Sequence, residues 1–109
     1  MLYEWRIYSA VPGRMNALNE RFVNTTLRMF EKHGIKVIGF WEVVVGTSNT
    51  LYYMLAFNDM AHREKAWNAF ASDTEWLKAK KETEDRAGGP LVERVENILL
   101  KPTRYSPLR

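Results

Sequence analysis

Apolar and polar residues alternate from Leu2 to Ser9, with Tyr3, Trp5 and Ile7 on one face and Leu2, Glu4, Arg6 and Tyr8 on the other, until Pro12-Gly13 closes the run. This period of two predicts a half-buried strand. From Arg14 to His33 the period changes: Met15, Leu18, Phe22, Met29 and Phe30 recur at helical spacing, and Gly34 stands where a helix takes its left-handed stop. Ile35 to Val45 and Leu51 to Phe57 are rich in β-branched and aromatic residues and flank the turn-forming Gly46-Thr47-Ser48-Asn49, which predicts a hairpin. Asn58-Asp59 then caps a second helix with the stripe Met60, Arg63, Trp67 and Phe70. Ser72-Asp73-Thr74-Glu75 has the form of a capping box opening a further helical turn at Trp76. Lys78 to Arg86 reads as a solvated helical face, Gly88-Gly89-Pro90 breaks the helix, and Leu91 to Leu100 alternates again as a last strand.

The order is β-α-β-β-α-β, an α+β ferredoxin-like sandwich in which four antiparallel strands carry both helical segments on one face. Residues 1–109 read as one domain, long enough to bury a core without disulfides or metals. The two central runs are apolar on both faces. Ile35, Val37, Trp41, Val43 and Val45 alternate with Ile38, Phe40 and Val44, and Leu51, Tyr53, Leu55 and Phe57 alternate with Tyr52, Met54 and Ala56. Helices cover one face only, and a one-sided antiparallel sheet shows polar residues on its open side. The economical cover for the second apolar face is the same sheet in another copy, so a homodimer packed sheet against sheet is expected.

Composition narrows the partners. The formal charge of +3 is spread along the chain without a basic run, which speaks against nucleic acid and membrane surfaces. No cysteine is present, so thiol catalysis, thiolate metal sites and a ferredoxin cluster are excluded, and the reducing cytosol is the expected compartment. No apolar run is long enough to span a bilayer, and the first residues lack the pattern of a signal peptide. An RNA-recognition motif shares this element order, but its third strand needs a basic residue, glycines and stacking aromatics, whereas Thr50 to Asp59 contains no Lys, Arg or Gly. Phosphate-cradling, dinucleotide, zinc-protease and nucleophile-elbow motifs are all missing.

Several blocks resemble the NIPSNAP family. Tyr3 to Gly13 (YEWRIYSAVPG) is similar to its opening strand and turn, Gly39 to Gly46 (GFWEVVVG) to its second strand, Ala61 to Trp76 to its helical segment ending in Asp-x-x-Trp, and Leu99 to Leu108 to its ending. The resemblance implies a dimeric α+β barrel and no settled reaction. Relatives of similar fold include cofactor-independent monooxygenases, small-molecule isomerases and haem-handling enzymes, and fold kinship does not carry function across.

Candidate chemistry gathers on the first strand. Glu4, Arg6 and Tyr8 share a face, and Arg63 lies on the stripe of the second helix, aimed at the sheet. A charge held there needs a partner, for which Glu4 and Glu42 are the available carboxylates, and a structural ion pair competes with a ligand-binding arginine. Trp41 and Trp76 are further candidates to line an apolar cleft between sheet and helices suited to a small hydrophobic or aromatic molecule. His33 ends a helix, where the dipole suits it. His62, in the first turn of the second helix, is the weak candidate for a general base. Two histidines without a spacing motif make no metal site; no cofactor is predicted, although a histidine facing a haem stays open. The expected function is binding of a small hydrophobic or aromatic molecule, with monooxygenase or isomerase chemistry as one extension and a non-catalytic homodimeric interaction domain as the alternative.

Overall fold

The computed structural model describes residues 1–109. Its elements run β1 (Leu2–Ala10), α1 (Met15–Arg21), a π-helical turn (Phe22–Thr26), α2 (Leu27–Lys32), β2 (Lys36–Glu42), β3 (Thr50–Phe57), α3 (Met60–Ser72), α4 (Thr74–Ala87) and β4 (Val92–Leu100). The strands form one antiparallel sheet in the order β2-β3-β1-β4, the ferredoxin-like arrangement expected from the hydrophobic pattern. Leu51, Tyr53, Leu55 and Phe57 alternate toward the helices and meet Leu18, Phe22, Met29 and Phe30 from the first helical segment and Ala66 and Phe70 from α3 in one continuous core.

The first helical segment is continuous but not uniform. At Phe22–Thr26 the hydrogen bonds lengthen by one residue, so that the Leu27 amide donates to the Phe22 carbonyl, and the Thr26 hydroxyl donates to the Arg21 carbonyl at 3.3 Å. The wider turn keeps Phe22, Thr26 and Phe30, spaced four apart, on one line toward the sheet, where a regular helix would rotate Phe30 away. The helical turn expected at Trp76 and the solvated helical face expected from Lys78 to Arg86 are one helix, α4, which begins at Thr74. Its N-cap is Asp73 rather than Ser72: the Asp73 carboxylate accepts from the Glu75 amide at 2.9 Å, while the Ser72 hydroxyl donates back to the Asn68 carbonyl. Asp73 also accepts from Lys32 Nζ at 2.7 Å and bonds His33 Nε2 at 2.8 Å. Those two partners hold its pKa well below the usual carboxylate range and fasten the end of α2 to the α3-α4 corner.

Strand β2 departs from the expected alternation in two ways. It ends at Glu42, and Val44 and Val45 stand almost fully exposed in the connection to β3, because pairing stops where Glu42 meets Leu51. A bulge between Val37 and Gly39 also shifts the register, so Val37 and Phe40 both face the helices and Trp41 falls on the opposite side from Val37. The Trp41 ring lies over Gly39, where a Cβ would come within 2.7 Å of it.

The sheet's second face is apolar, as the two-sided pattern requires. Trp5 packs against Trp41 and Tyr52 with ring centroids 5.7 and 5.5 Å apart, and Ile98 lies opposite Trp5 on β4. Trp41 and Ile98 are each 50% exposed. No helix is long and apolar enough to cross a membrane.

Helix α4 ends at Gly88, whose φ of 89° is left-handed and whose amide, with that of Gly89, returns to the Glu84 carbonyl. This stop redirects the chain into β4. Gly88→Ala forces a side chain into that conformation and is expected to cost about 1–2 kcal/mol, read as a lower urea midpoint with an unchanged slope. An unchanged midpoint would show that α4 can end without the left-handed residue.

Candidate functional site

The acid and base at the start of the chain lie in the core. Glu4 has no exposed surface. Its Oε1 accepts from Arg63 Nε and Trp67 Nε1, both at 2.9 Å, and its Oε2 from Arg6 Nη1 at 2.8 Å, Arg63 Nη2 at 3.1 Å and Asn97 Nδ2 at 3.1 Å. Burial by itself raises a carboxyl pKa; here the donors from Arg63, Trp67, Arg6 and Asn97 outweigh it and hold Glu4 at about 2. Arg6 continues the network. Its Nε donates to the Tyr53 hydroxyl at 2.7 Å, its Nη2 to the Tyr8 hydroxyl at 3.3 Å, and its guanidinium sits 4.5 Å from the centre of the Trp67 ring. Burial works against that charge, but the phenol oxygens of Tyr53 and Tyr8 and the Glu4 carboxylate raise its pKa above the ordinary arginine value. Burial likewise pushes the Tyr53 phenol well up, so it stays protonated.

The direction of the last hydrogen bond matters most. The hydroxyls of Tyr53 and Tyr8 lie 2.7 Å apart, and each also accepts from Arg6. Tyr53 is fully buried with no other acceptor in reach, so it must spend its proton on Tyr8. The Tyr8 oxygen therefore receives two hydrogen bonds and keeps its own proton to offer elsewhere.

Tyr8 lines a cleft. A cavity of about 430 Å³ opens between the β1-β4 side of the sheet and the helices, floored by Tyr8, Phe22 and Phe30 and walled by Trp67, Phe70 and Trp76. A register shift between Ser9 and Ala10 brings consecutive residues 92–95 of β4 to its rim. Arg21, from the last turn of α1, is 6% exposed and lies 5.2 Å from the Trp76 ring centre. Its pKa is lowered by burial and partly supported by Glu84. The volume and the mixture of aromatic walls with few polar groups fall in the range of small-molecule sites.

Of the residues singled out in the sequence, Tyr8 and Trp76 line this cleft. Glu4, Arg6 and Arg63 come together as expected, but as a closed ion cluster behind Tyr8. Glu42, the other carboxylate considered for Arg63, accepts instead from Asn19 at 3.3 Å. Trp41 lies on the opposite face of the sheet, carried there by the β2 bulge. His62 is held by both ring nitrogens: Nδ1 accepts from the Asn58 amide at 2.9 Å and Nε2 bonds the Gly34 carbonyl at 3.1 Å, joining the α3 start to the turn after α2. Neither histidine lines the cleft, which therefore presents no imidazole to a haem iron. Arg21 was not apparent as a candidate, although it stands three residues after Leu18, on the apolar stripe of its helix, just as Arg63 stands three after Met60.

The Glu4 cluster sets a pH dependence. A carboxyl depressed from 4.5 to about 2 stabilises the fold fully above 4.5, and that contribution is lost as pH falls through 2; discounted for solvent around the arginines, it is roughly 2 kcal/mol. Glu4→Gln leaves Arg6 and Arg63 without their counter-charge and is expected to cost about 3 kcal/mol at neutral pH. Its stability should also fall less steeply than the wild type's in acid. Urea midpoints measured between neutral pH and pH 2 check both, and parallel curves for the two proteins would show that Glu4 does not carry the acid limb.

Comparison with known proteins agrees with this architecture. The NIPSNAP family profile matches residues 3–107. Protein NipSnap homolog 3A of Homo sapiens is 33% identical over 78 residues, covering 70% of this chain and 30% of that protein. Protein NipSnap homolog 3B of Mus musculus is 32% identical over 75 residues, with 68% and 30% covered. The chain thus matches less than a third of the length of these relatives. Among solved structures, a NIPSNAP family protein of unknown function from Agrobacterium tumefaciens superposes with a TM-score of 0.87 at 26% identity, covering 100% of this chain and 94% of that one. An uncharacterised NIPSNAP domain protein from Burkholderia xenovorans gives 0.84 at 22% identity, with 98% and 99% covered. A Nitrosomonas europaea protein provisionally named as an antibiotic biosynthesis monooxygenase gives 0.62 at 11%, with 94% and 98% covered, a likeness of fold alone. With a family profile spanning almost all of it and this sheet beneath it, the chain belongs to the NIPSNAP family.

Proposed function

We propose that the cleft between sheet and helices binds a small aromatic or hydrophobic molecule carrying an oxygen acceptor, oriented by the Tyr8 hydroxyl. The observation that carries this reading is the uncommitted proton of Tyr8, a residue lining a cavity walled by Trp67, Phe70 and Trp76. A donor pointed at an apolar pocket gives a ligand direction as well as affinity. Were the site to catalyse a reaction, as a cofactor-independent oxygenase or an isomerase, the same hydroxyl would stabilise charge developing on the substrate oxygen. Crystals soaked with a panel of small aromatic aldehydes and ketones should show density against Trp67 and Trp76 with an oxygen on Tyr8. Tyr8→Phe should weaken the best of them about five- to ten-fold by calorimetry, the worth of one hydrogen bond. A cleft that stays empty across the panel would remove the reading.

The apolar second face of the sheet supports a homodimer joined through it, and with it the alternative of an interaction domain. Trp5, Trp41, Tyr52 and Ile98 form a contiguous aromatic and aliphatic surface, half-exposed at Trp41 and Ile98. Ile98→Asp is expected to convert a dimer to a folded monomer in light scattering, because the side chain contributes little to the core of its own chain. A wild-type protein of monomeric mass would dispose of the dimer.

A further inference from the structure

The fold treats its inward-facing arginines unequally. Arg6 and Arg63, partly exposed, share the Glu4 carboxylate. Arg21, more deeply buried at 6% exposure, takes part in no ion pair, and its one protein hydrogen bond is from Nη1 to the Thr83 hydroxyl at 3.3 Å. A guanidinium offers five N–H donors in a planar fork. Burying a cation without a direct ion pair is costly; Glu84, on the same cleft, supports Arg21 only from beyond salt-bridge distance, which leaves room for a closer anion. No atom of the side chain is sealed from solvent without a partner, so the remaining donors are open to solvent, and Arg21 borders the cleft beside Trp76. The rim repeats the bias: Arg21, Lys80 and Arg94 line the cavity against Glu84 and Glu93.

We propose that this cleft selects aromatic carboxylates, with the Arg21 fork anchoring the carboxylate while the ring lies among Phe22, Trp67, Phe70 and Trp76. The proposal rests on the cleft being a small-molecule site and names the class it prefers. A planar fork matches a carboxylate in two parallel hydrogen bonds, which a lysine in its place could not do. Tyr8, whose hydroxyl proton is uncommitted, lines the same cavity and can reach a second oxygen of such a molecule. Because Arg21 makes no direct ion pair, its replacement breaks no salt bridge.

The test is calorimetric titration of the intact chain with 2-naphthoate and with 2-naphthamide, which share a ring system and differ in charge. Wild-type protein is expected to bind the naphthoate about ten-fold or more tightly than the amide, with the difference shrinking as salt is added. Arg21→Gln should abolish that preference by weakening the naphthoate far more than the amide, and Arg21→Lys should restore part of it. Equal affinities in the wild type, or a naphthoate affinity untouched by Arg21→Gln, would overturn the role of Arg21 and leave the aromatic cleft standing. Binding of neither compound would overturn both. Should Arg21→Gln fail to fold, Arg21 is a structural residue and the proposal falls unless Arg21→Lys folds and shows the partial loss together with the wild-type salt dependence.

Discussion

A carboxylate with no exposed surface survives in a protein core only if its lone pairs are met by donors, and Glu4 meets them with side chains from three other places in the chain. Asn97 comes from β4, Arg63 and Trp67 from α3, and Arg6 from the next inward position of β1 itself. The cluster therefore specifies more than it stabilises. Replacing it by well-packed apolar residues could give an equally stable protein, but a register slip of one residue in β1 would carry Glu4 and Arg6 together to the opposite face and strand Arg63. The same periodicity fixes the site. Arg6 and Tyr8 follow Glu4 at intervals of two, so the ion cluster, the Tyr53 hydroxyl and the donor in the cleft form one line along a single strand face.

Much of this was legible in the hydrophobic pattern because its signals are local. Period two in Leu2 to Ser9, the glycine stops at Gly34 and Gly88, and the Asp59 cap gave the order of elements, and two-sided apolarity in Leu51 to Phe57 gave the second exposed face. The failures were of phase. One inserted residue at the β2 bulge put Trp41 on the opposite face from Val37, and a bulge has no compositional mark; the π-helical turn is equally unmarked but left the expected stripe of Leu18, Phe22, Met29 and Phe30 in the core. Val43 to Val45 look like strand by propensity, yet β-propensity describes fit to a partner and these residues have none beyond Val43.

The candidate site was half legible for a related reason. The meeting of Glu4 with Arg63 followed from the rule that inward charges are paired, whereas the Asn97 contact spans nearly the whole chain and has no sequence signature. Tyr8 and Trp76 were visible as aromatics on suitable faces; Arg21 was hidden among basic residues that a solvated helix would also carry. What separates Arg21 from them is burial without an ion pair, a property of the fold and not of the residue.

The position of the cleft follows from how the helices meet the sheet. The core is centred on β3, whose inward residues Leu51, Tyr53, Leu55 and Phe57 are all buried, while β4 lies at the sheet's edge with Val95 and Leu99 still partly exposed on that same side. Helix cover thins from β3 to β4, and the corner at Asp73, fastened to α2 by Lys32 and His33, sets where α4 begins and so how wide the gap stays. Alternation along β1 then separates the two proposed surfaces, since Glu4, Arg6 and Tyr8 serve the cleft and Trp5 and Ile7 serve the other face. Each surface can be altered without touching the other because a strand allots its side chains to the two faces by parity alone.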